Sequence, residues 1–274
     1  MNTSFKKNIV AAVLILLLQS CGGLEYSPNQ SFSGDSPQDI NAKSIKRLQE
    51  EQEGDNRIRF ILTGDSQRAY DESKALVDAV NKLPEIDFVI LAGDLSDFGL
   101  SQELEWVDRI FSKLNVPYLG VIGNHDLVAA GEKSFKRMFG PLDYSFVYKK
   151  VKFVCHNTNS RETSFSGHVP DIAWLKEQMR PQNGVDAYLA IAHVPPGSGD
   201  FDDKLYHEYI ETINGSPLTL ASLYAHNHSD FLFYPGGQKT IPYVVTDAIE
   251  HRKFILVEIL IGKVDFPMKL RENA

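Results

Sequence analysis

Phe88-Val89-Ile90-Leu91-Ala92-Gly93-Asp94 is an unbroken apolar run that stops at a glycine and an aspartate. An apolar run too short for a helix and closed by glycine reads as a strand buried on both faces. The same design recurs on either side of it. Residues 58–62, apolar apart from Arg59, lead into Thr63-Gly64-Asp65, and residues 118–122 lead into Gly123-Asn124-His125-Asp126. Between these runs Ala75, Leu76, Ala79, Val80 and Leu83 fall at helical spacing until Pro84. A second helical face carries Leu104, Val107, Ile110, Phe111 and Leu114, with Ser101 placed to cap it and Glu103 near the positive end of its dipole. Helices between successive strands imply parallel pairing and an α/β fold.

Two further strand-like runs, residues 189–192 and 220–224, end in His193 and in Ala225-His226-Asn227-His228. Polar side chains thus recur just past the carboxyl ends of strands, the crevice where open α/β sheets bind ligands. Beyond Asp230 the helical spacing disappears. The short runs 231–234, 243–245 and 254–259 predict an antiparallel portion with hairpins covering one side.

Taken singly, an aspartate or histidine at a strand end is most simply a cap or a hydrogen-bonded structural group. Two aspartates, an asparagine and three histidines in that position form a pattern. Carboxylate, amide oxygen and imidazole together suit borderline divalent ions such as zinc, manganese and iron(II), whereas calcium takes oxygen alone.

The blocks Asp65-Ser66-Gln67, Gly93-Asp94-Leu95-Ser96-Asp97, Gly123-Asn124-His125-Asp126, His193 and Ala225-His226-Asn227-His228 resemble, in order and spacing, those of calcineurin-like metallophosphoesterases. The resemblance covers roughly residues 58–260 and implies an αββα sandwich of two mixed β-sheets with two divalent transition-metal ions (Mn, Zn or Fe). It implies that Asp94 bridges them, with Asp65 and His228 on the first ion and Asn124, His193 and His226 on the second. A hydroxide held between the metals would be the nucleophile in hydrolysis of a small-molecule phosphate ester. His125 would serve the leaving oxygen, and Asp97 would hold His125 charged. Asp126 reads equally as a loop cap.

Two positions depart from the family pattern. Gln67 stands where a histidine is usual, and its amide oxygen is the weaker ligand, so it either coordinates the first ion or leaves that site short of one group. Ala225 replaces a glycine, which is tolerable where φ is negative. Gln67 also keeps open a different reading, a degenerate metal- or ligand-binding envelope lipoprotein without catalysis.

The formal charge of the 274-residue chain is −8, which argues against a nucleic-acid groove. It does not exclude a phosphate substrate, because bound cations dominate the field of their own site. With 43% hydrophobic residues the chain can bury one large core. At the N-terminus Lys6 and Lys7 precede an apolar run, residues 9–18, too short for a membrane span of about twenty residues. Leu18-Gln19-Ser20-Cys21-Gly22 resembles the lipobox of bacterial lipoproteins, although Gln19 is unusual there; an ordinary signal peptide with a chance cysteine is the simpler alternative. The expected organisation is a signal peptide at 1–20, lipidation at Cys21, a flexible tether over 21–55 and a catalytic domain over 56–274. That arrangement places the protein on a bacterial envelope membrane, in the periplasm or on the outer-membrane surface. Cys155, inside the apolar run 151–155, reads as a core thiol; His156 and Asn157, which end that run, either face the site or make a surface or core hydrogen bond. His168, His207 and His251 read as capping or solvated, while Gly197-Ser198-Gly199-Asp200 reads either as a flexible loop beside the metal centre that contacts substrate or as an ordinary loop.

Overall fold

A computed structural model describes residues 32, 34–50, 57–235 and 241–260. The proposed signal peptide, Cys21 and the first part of the tether lie outside them. In the first half of the body, β1 (Arg57–Thr63), α2 (Tyr70–Val80), β2 (Phe88–Leu91), α3 (Ser101–Phe111) and β3 (Tyr118–Gly120) follow one another, as the spacing predicts. Helix α1 (Ile40–Glu50) precedes them. After β3 come a 3-10 turn over His125–Ala130 and α4 (Gly131–Met138). The second half contains β4 (Tyr144–Tyr148), β5 (Val151–Cys155), α5 (Ile172–Gln178), β6 (Ala187–Ile191), α6 (Tyr206–Asn214) and β7 (Thr219–Tyr224). It closes with β8 (Phe231–Phe233), β9 (Tyr243–Val245) and β10 (Ile255–Leu260).

The strands form two mixed sheets, ordered β10-β1-β2-β3 and β4-β5-β6-β7-β9-β8. Pairings β1/β2, β2/β3, β5/β6, β6/β7 and β7/β9 are parallel, and β1/β10, β4/β5 and β8/β9 antiparallel. Between the sheets lies a core in which Phe60 stacks on Phe88 at 4.9 Å and Phe146 on Phe153 at 4.8 Å. Leu76, Val80, Leu104, Val107 and Phe135 pack helices α2, α3 and α4 on the outer face of the first sheet. Leu175, Tyr209 and Ile213 do the same for α5 and α6 on the second. Both sheets are therefore covered on both faces, which is why β2, β6 and β9 are apolar throughout. Buried within this core, Cys155 has its thiol pKa pushed up to about 12 by desolvation.

Three expectations need correction. The tether does not run unbroken to residue 55, because α1 is docked on the body. Asn41 accepts the Gly120 N–H at 2.8 Å and donates to the Gly120 carbonyl at 2.9 Å, occupying the free edge of β3, while Leu48 is buried in the inter-sheet core. The C-terminal runs do not make one antiparallel block. β9 extends the second sheet in parallel to β7, and β10 crosses to the first sheet, where Ile58 faces Ile259. Finally, Ser101 is the first helical residue of α3 and not its cap. The cap position is Leu100, and the Glu103 carboxylate accepts the N–H groups of Phe98 (2.9 Å) and Leu100 (3.3 Å).

Candidate metal centre

The loops that end β1, β2, β3, β6 and β7 converge at one end of the sandwich and are tied to each other through the backbone. Asp65 N–H donates to the Gly93 carbonyl at 3.0 Å, Gln67 N–H to the Asp94 carbonyl at 3.1 Å, and Ala225 N–H to the His193 carbonyl at 3.1 Å. Glycines make this approach possible. A Cβ on Gly123 would lie 2.0 Å from Asp94 N, and one on Gly93, whose φ is +95°, would lie 2.4 Å from His193 Nδ1. Asp65 (φ 54°), Asp94 (52°), His226 (74°) and His228 (48°) all adopt the left-handed conformation. Each such residue costs about 1 to 3 kcal/mol, a strain that concentrates at functional sites.

Asp65, Asp94 and His193 are buried and each presents a ligand atom within 4.8 Å of the others. Asn124 Oδ1 lies 3.1 Å from His193 Nε2 and 3.1 Å from His226 Nδ1, and His228 Nε2 lies 3.4 Å from Asp65 Oδ1. Each of the three imidazoles also has an outer partner. His193 Nδ1 donates to the Ala92 carbonyl at 2.7 Å, His226 Nε2 is 3.3 Å from Asp200 Oδ2, and His228 Nδ1 is 3.0 Å from Glu250 Oε1. Every ring therefore has acceptor oxygens at both nitrogens, whereas a neutral imidazole carries one N–H. Positive charge between the rings and the inner oxygens is required, either protons or a cation.

The titration behaviour follows from the same crowding. Burial opposes protonation of His193, but Asp94 and Asp65 outweigh it and push its pKa up to about 10. His228 rises to about 9 through its contacts with Asp65 and Glu250, burial opposing. His226 falls to about 4 because it is buried and lies beside His193. Burial opposes ionisation of Asp94, yet His193 and His125 hold its carboxyl below the ordinary range.

These residues fit divalent ions. The ring–oxygen separations of 3.1 to 3.4 Å match the spacing, about 3.4 Å, of two ligands each about 2.1 Å from one tetrahedral ion. Gln67 Oε1 is buried without a hydrogen-bond partner, and Asp65 Oδ1 has none beyond its 3.4 Å approach to His228. The outer hydrogen bonds fix each ring so that its other nitrogen faces inward, as supporting contacts do around bound metals.

The calcineurin-like phosphoesterase family model matches residues 58–230. The chain belongs to this family. Over 155 residues it is 23% identical to a 3′,5′-cyclic-nucleotide phosphodiesterase of Nostoc, covering 54% of this chain and 58% of that protein. Over 139 residues it is 26% identical to a probable glycerophosphodiester phosphodiesterase of Arcobacter nitrofigilis, covering 46% of this chain and 50% of the relative. The chain thus spans about half the length of these curated relatives. Among solved structures, yellow lupin purple acid phosphatase superposes with a TM-score of 0.59 at 12% identity, covering 80% of this chain and 53% of that one, a likeness of fold.

Within that family frame the structure locates both departures. Gln67 is buried beside Asp94, its Nε2 donating to Asp94 Oδ2 at 3.5 Å. Rotating its terminal amide exchanges this N–H for the unpartnered oxygen, so a ligand oxygen is available at the first site. Ala225 does not adopt a positive φ, so its methyl is tolerated, and it packs against Gly64, where an added Cβ would meet it at 2.7 Å.

His125 sits on the rim, its Nδ1 donating to the backbone carbonyl of Asp97 at 2.9 Å. The Asp97 carboxylate lies 3.6 Å from the ring, beyond hydrogen-bond length, and 3.2 Å from the Arg68 guanidinium. Asp126 is a clamp. Its carboxylate accepts from Ser96 N–H (2.7 Å), Ser96 Oγ (2.7 Å), Leu95 N–H (3.2 Å) and Gly123 N–H (2.9 Å), joining the loops that carry Asp94 and Asn124. Burial and the neighbouring Asp94 raise its pKa to about 6.

Sequence reasoning missed Glu250, Arg68 and Arg161, and it singled out the loop of Asp200 without assigning that carboxylate to a histidine. Asp200 lies in the Gly197-Ser198-Gly199-Asp200 loop and is held by Arg161 at 3.0 Å while it faces His226. His156 turns away from the site: its Nε2 accepts from Tyr209 Oη at 2.8 Å, and Tyr209 and Tyr224 continue the buried chain at 2.8 Å. His251 is paired with Asp247 at 2.7 Å.

Proposed function

We propose that this protein is a dinuclear metallophosphoesterase that hydrolyses phosphate esters of small molecules. The observation that carries the proposal is the trio of imidazoles, each flanked by oxygens at both nitrogens around Asp65, Asp94 and Asn124. Asp65, His228 and the Gln67 amide oxygen would hold one divalent ion of the Mn, Zn or Fe type, and Asn124, His193 and His226 the other, with Asp94 shared. When bound, the pair supplies a hydroxide nucleophile at neutral pH and neutralises charge growing on the phosphoryl oxygens. The protein's own part is positional. Left-handed Asp65 and Asp94 aim their carboxylates inward, Ala92, Asp200 and Glu250 orient the rings, and His125, fixed through Nδ1, delivers a proton from Nε2 to the departing oxygen.

Both curated relatives carry diesterase names, which supports diesters as the first substrates to assay. Metal-supplemented hydrolysis of bis-p-nitrophenyl phosphate, compared with p-nitrophenyl phosphate, tests the reading. Absence of turnover with manganese, zinc or iron would remove it. Gln67 sustains one rival, a metal-binding protein without catalysis; turnover by Gln67→His but not by the natural chain would establish that rival.

The envelope location belongs to the same proposal and rests on residues 1–22. Among the described residues no helix is long and apolar enough to cross a membrane; the attachment proposed is the lipid at Cys21. Cys21→Ser should shift the protein from the detergent phase to the aqueous phase; unchanged partitioning would contradict the anchor.

A further inference from the structure

Among the described residues five large apolar side chains are substantially exposed, and three belong to the flank formed by the loop after Asp97, helix α3 and the turn that starts at His125: Phe98 (55%), Trp106 (38%) and Val128 (42%). Phe98 directly follows Asp97, whose carbonyl holds the His125 ring. Its N–H is fixed by Glu103, and Trp106 stands one turn further along α3, with the Tyr70 ring edge-on at 5.8 Å. Val128 reaches the same place from the turn that begins at His125. Its carbonyl lies 2.3 Å from where a Cβ on Gly99 would stand, so the two loops are packed against each other. The turn is held by two successive left-handed alanines, Ala129 (φ 48°) and Ala130 (φ 63°), an arrangement that costs about 1 to 2 kcal/mol per residue.

We infer that this flank binds the leaving-group part of the substrate, and that the released alcohol carries an aromatic or other bulky apolar body. The inference rests on the phosphoesterase reading. A leaving oxygen that takes its proton from His125 must lie within hydrogen-bond reach of that ring. The remainder of the leaving group then projects over the residues flanking His125, which are Phe98 and Val128, with Trp106 and Tyr70 beyond. A small polyol would leave these side chains in water, whereas a flat apolar group would cover them and stack on Phe98.

The test uses the metal-loaded full-length protein and two non-hydrolysable probes, methylphosphonate and 1-naphthylmethylphosphonate, with affinities measured by calorimetry. The natural chain should bind the naphthyl probe at least about tenfold more tightly, the scale for burying one face of a ring system. In a Phe98→Ser, Val128→Ser double variant that ratio should fall to about twofold or less. A ratio near one in the natural chain, or a ratio unchanged in the variant, overturns the inference. So does loss of binding to phosphatidylcholine vesicles in the variant with the probe ratio intact, which would assign the flank to a lipid surface. Comparing kcat/KM for the 1-naphthyl and phenyl esters, each offered both as the phosphate monoester and as the methyl phosphate diester, separates the two levels of the argument. A binding preference without turnover of any of these esters defeats the phosphoesterase reading and the leaving-group role together, whereas turnover of the naphthyl and phenyl esters at equal kcat/KM defeats the leaving-group role alone.

Discussion

Gly93→Ala is the substitution whose consequence is most closely fixed by the geometry. The residue has φ +95°, and a Cβ there would stand 2.4 Å from His193 Nδ1, where ordinary contact begins at 3.4 Å. The imidazole or the loop must therefore give by about 1 Å, which is enough to break the 2.7 Å hydrogen bond from His193 to Ala92. A misplacement of about 1 Å costs on the order of 10²-fold in rate. Stability should fall as well, by about 1 to 2 kcal/mol for the backbone conformation and a further 1 to 3 kcal/mol or so for overpacking. Gly184→Ala is the control, since its φ is +81° but no heavy atom lies within 4 Å of the added Cβ. It should show the backbone cost alone, with metal content and kcat retained. The assay combines urea unfolding, metal content by atomic emission and kcat for a p-nitrophenyl ester. A folded Gly93→Ala protein with natural metal content and turnover would refute the claim that His193 is held in a functional position by this contact.

Three further outcomes follow from other parts of the molecule. His125→Ala should lower kcat by about 10²- to 10⁴-fold with metal content unchanged, and an unchanged kcat would remove His125 from proton transfer. Leu48→Ala should destabilise the body by about 2 to 5 kcal/mol in urea unfolding, because α1 contributes that side chain to the inter-sheet core; a loss under about 0.5 kcal/mol would show that α1 is not part of the cooperative unit. His156 is buried, and desolvation lowers its pKa from 6.5 to about 4. The unfolded chain therefore binds the proton first, so its contribution is fully present above pH 6.5 and lost as pH falls toward 4, by about 3 kcal/mol. His156→Asn should flatten that part of the acid limb, and a parallel pH–stability curve would contradict the assignment.

The apolar runs that end in Gly-Asp, Gly-Asn-His and His-Asn-His were legible because a doubly covered parallel strand is apolar throughout, so the first polar residue marks the strand end and the crevice together. Gln67 was legible as a departure, but its placement against Asp94 needed coordinates. The ring-orienting roles of Asp200 and Glu250 were not legible, since these residues reach His226 and His228 from loops with no periodic pattern. Helix α1 was largely missed for a related reason. Its large apolar residues Ile40, Ile45 and Leu48 are sparse, and it is fixed by contacts such as Asn41 to Gly120, 79 residues away. The apolar run that marks residues 254–259 as a strand does not state which sheet edge they join, and only pairing with β1 decides it.

The most direct test of the metal centre is the metal content of the natural protein and of Asp94→Ala, measured after loading with manganese or zinc and removal of excess ion. Two ions per natural chain and fewer than one in the variant, with turnover lost, is the predicted result. Two ions retained in a folded Asp94→Ala protein would contradict the shared-carboxylate centre.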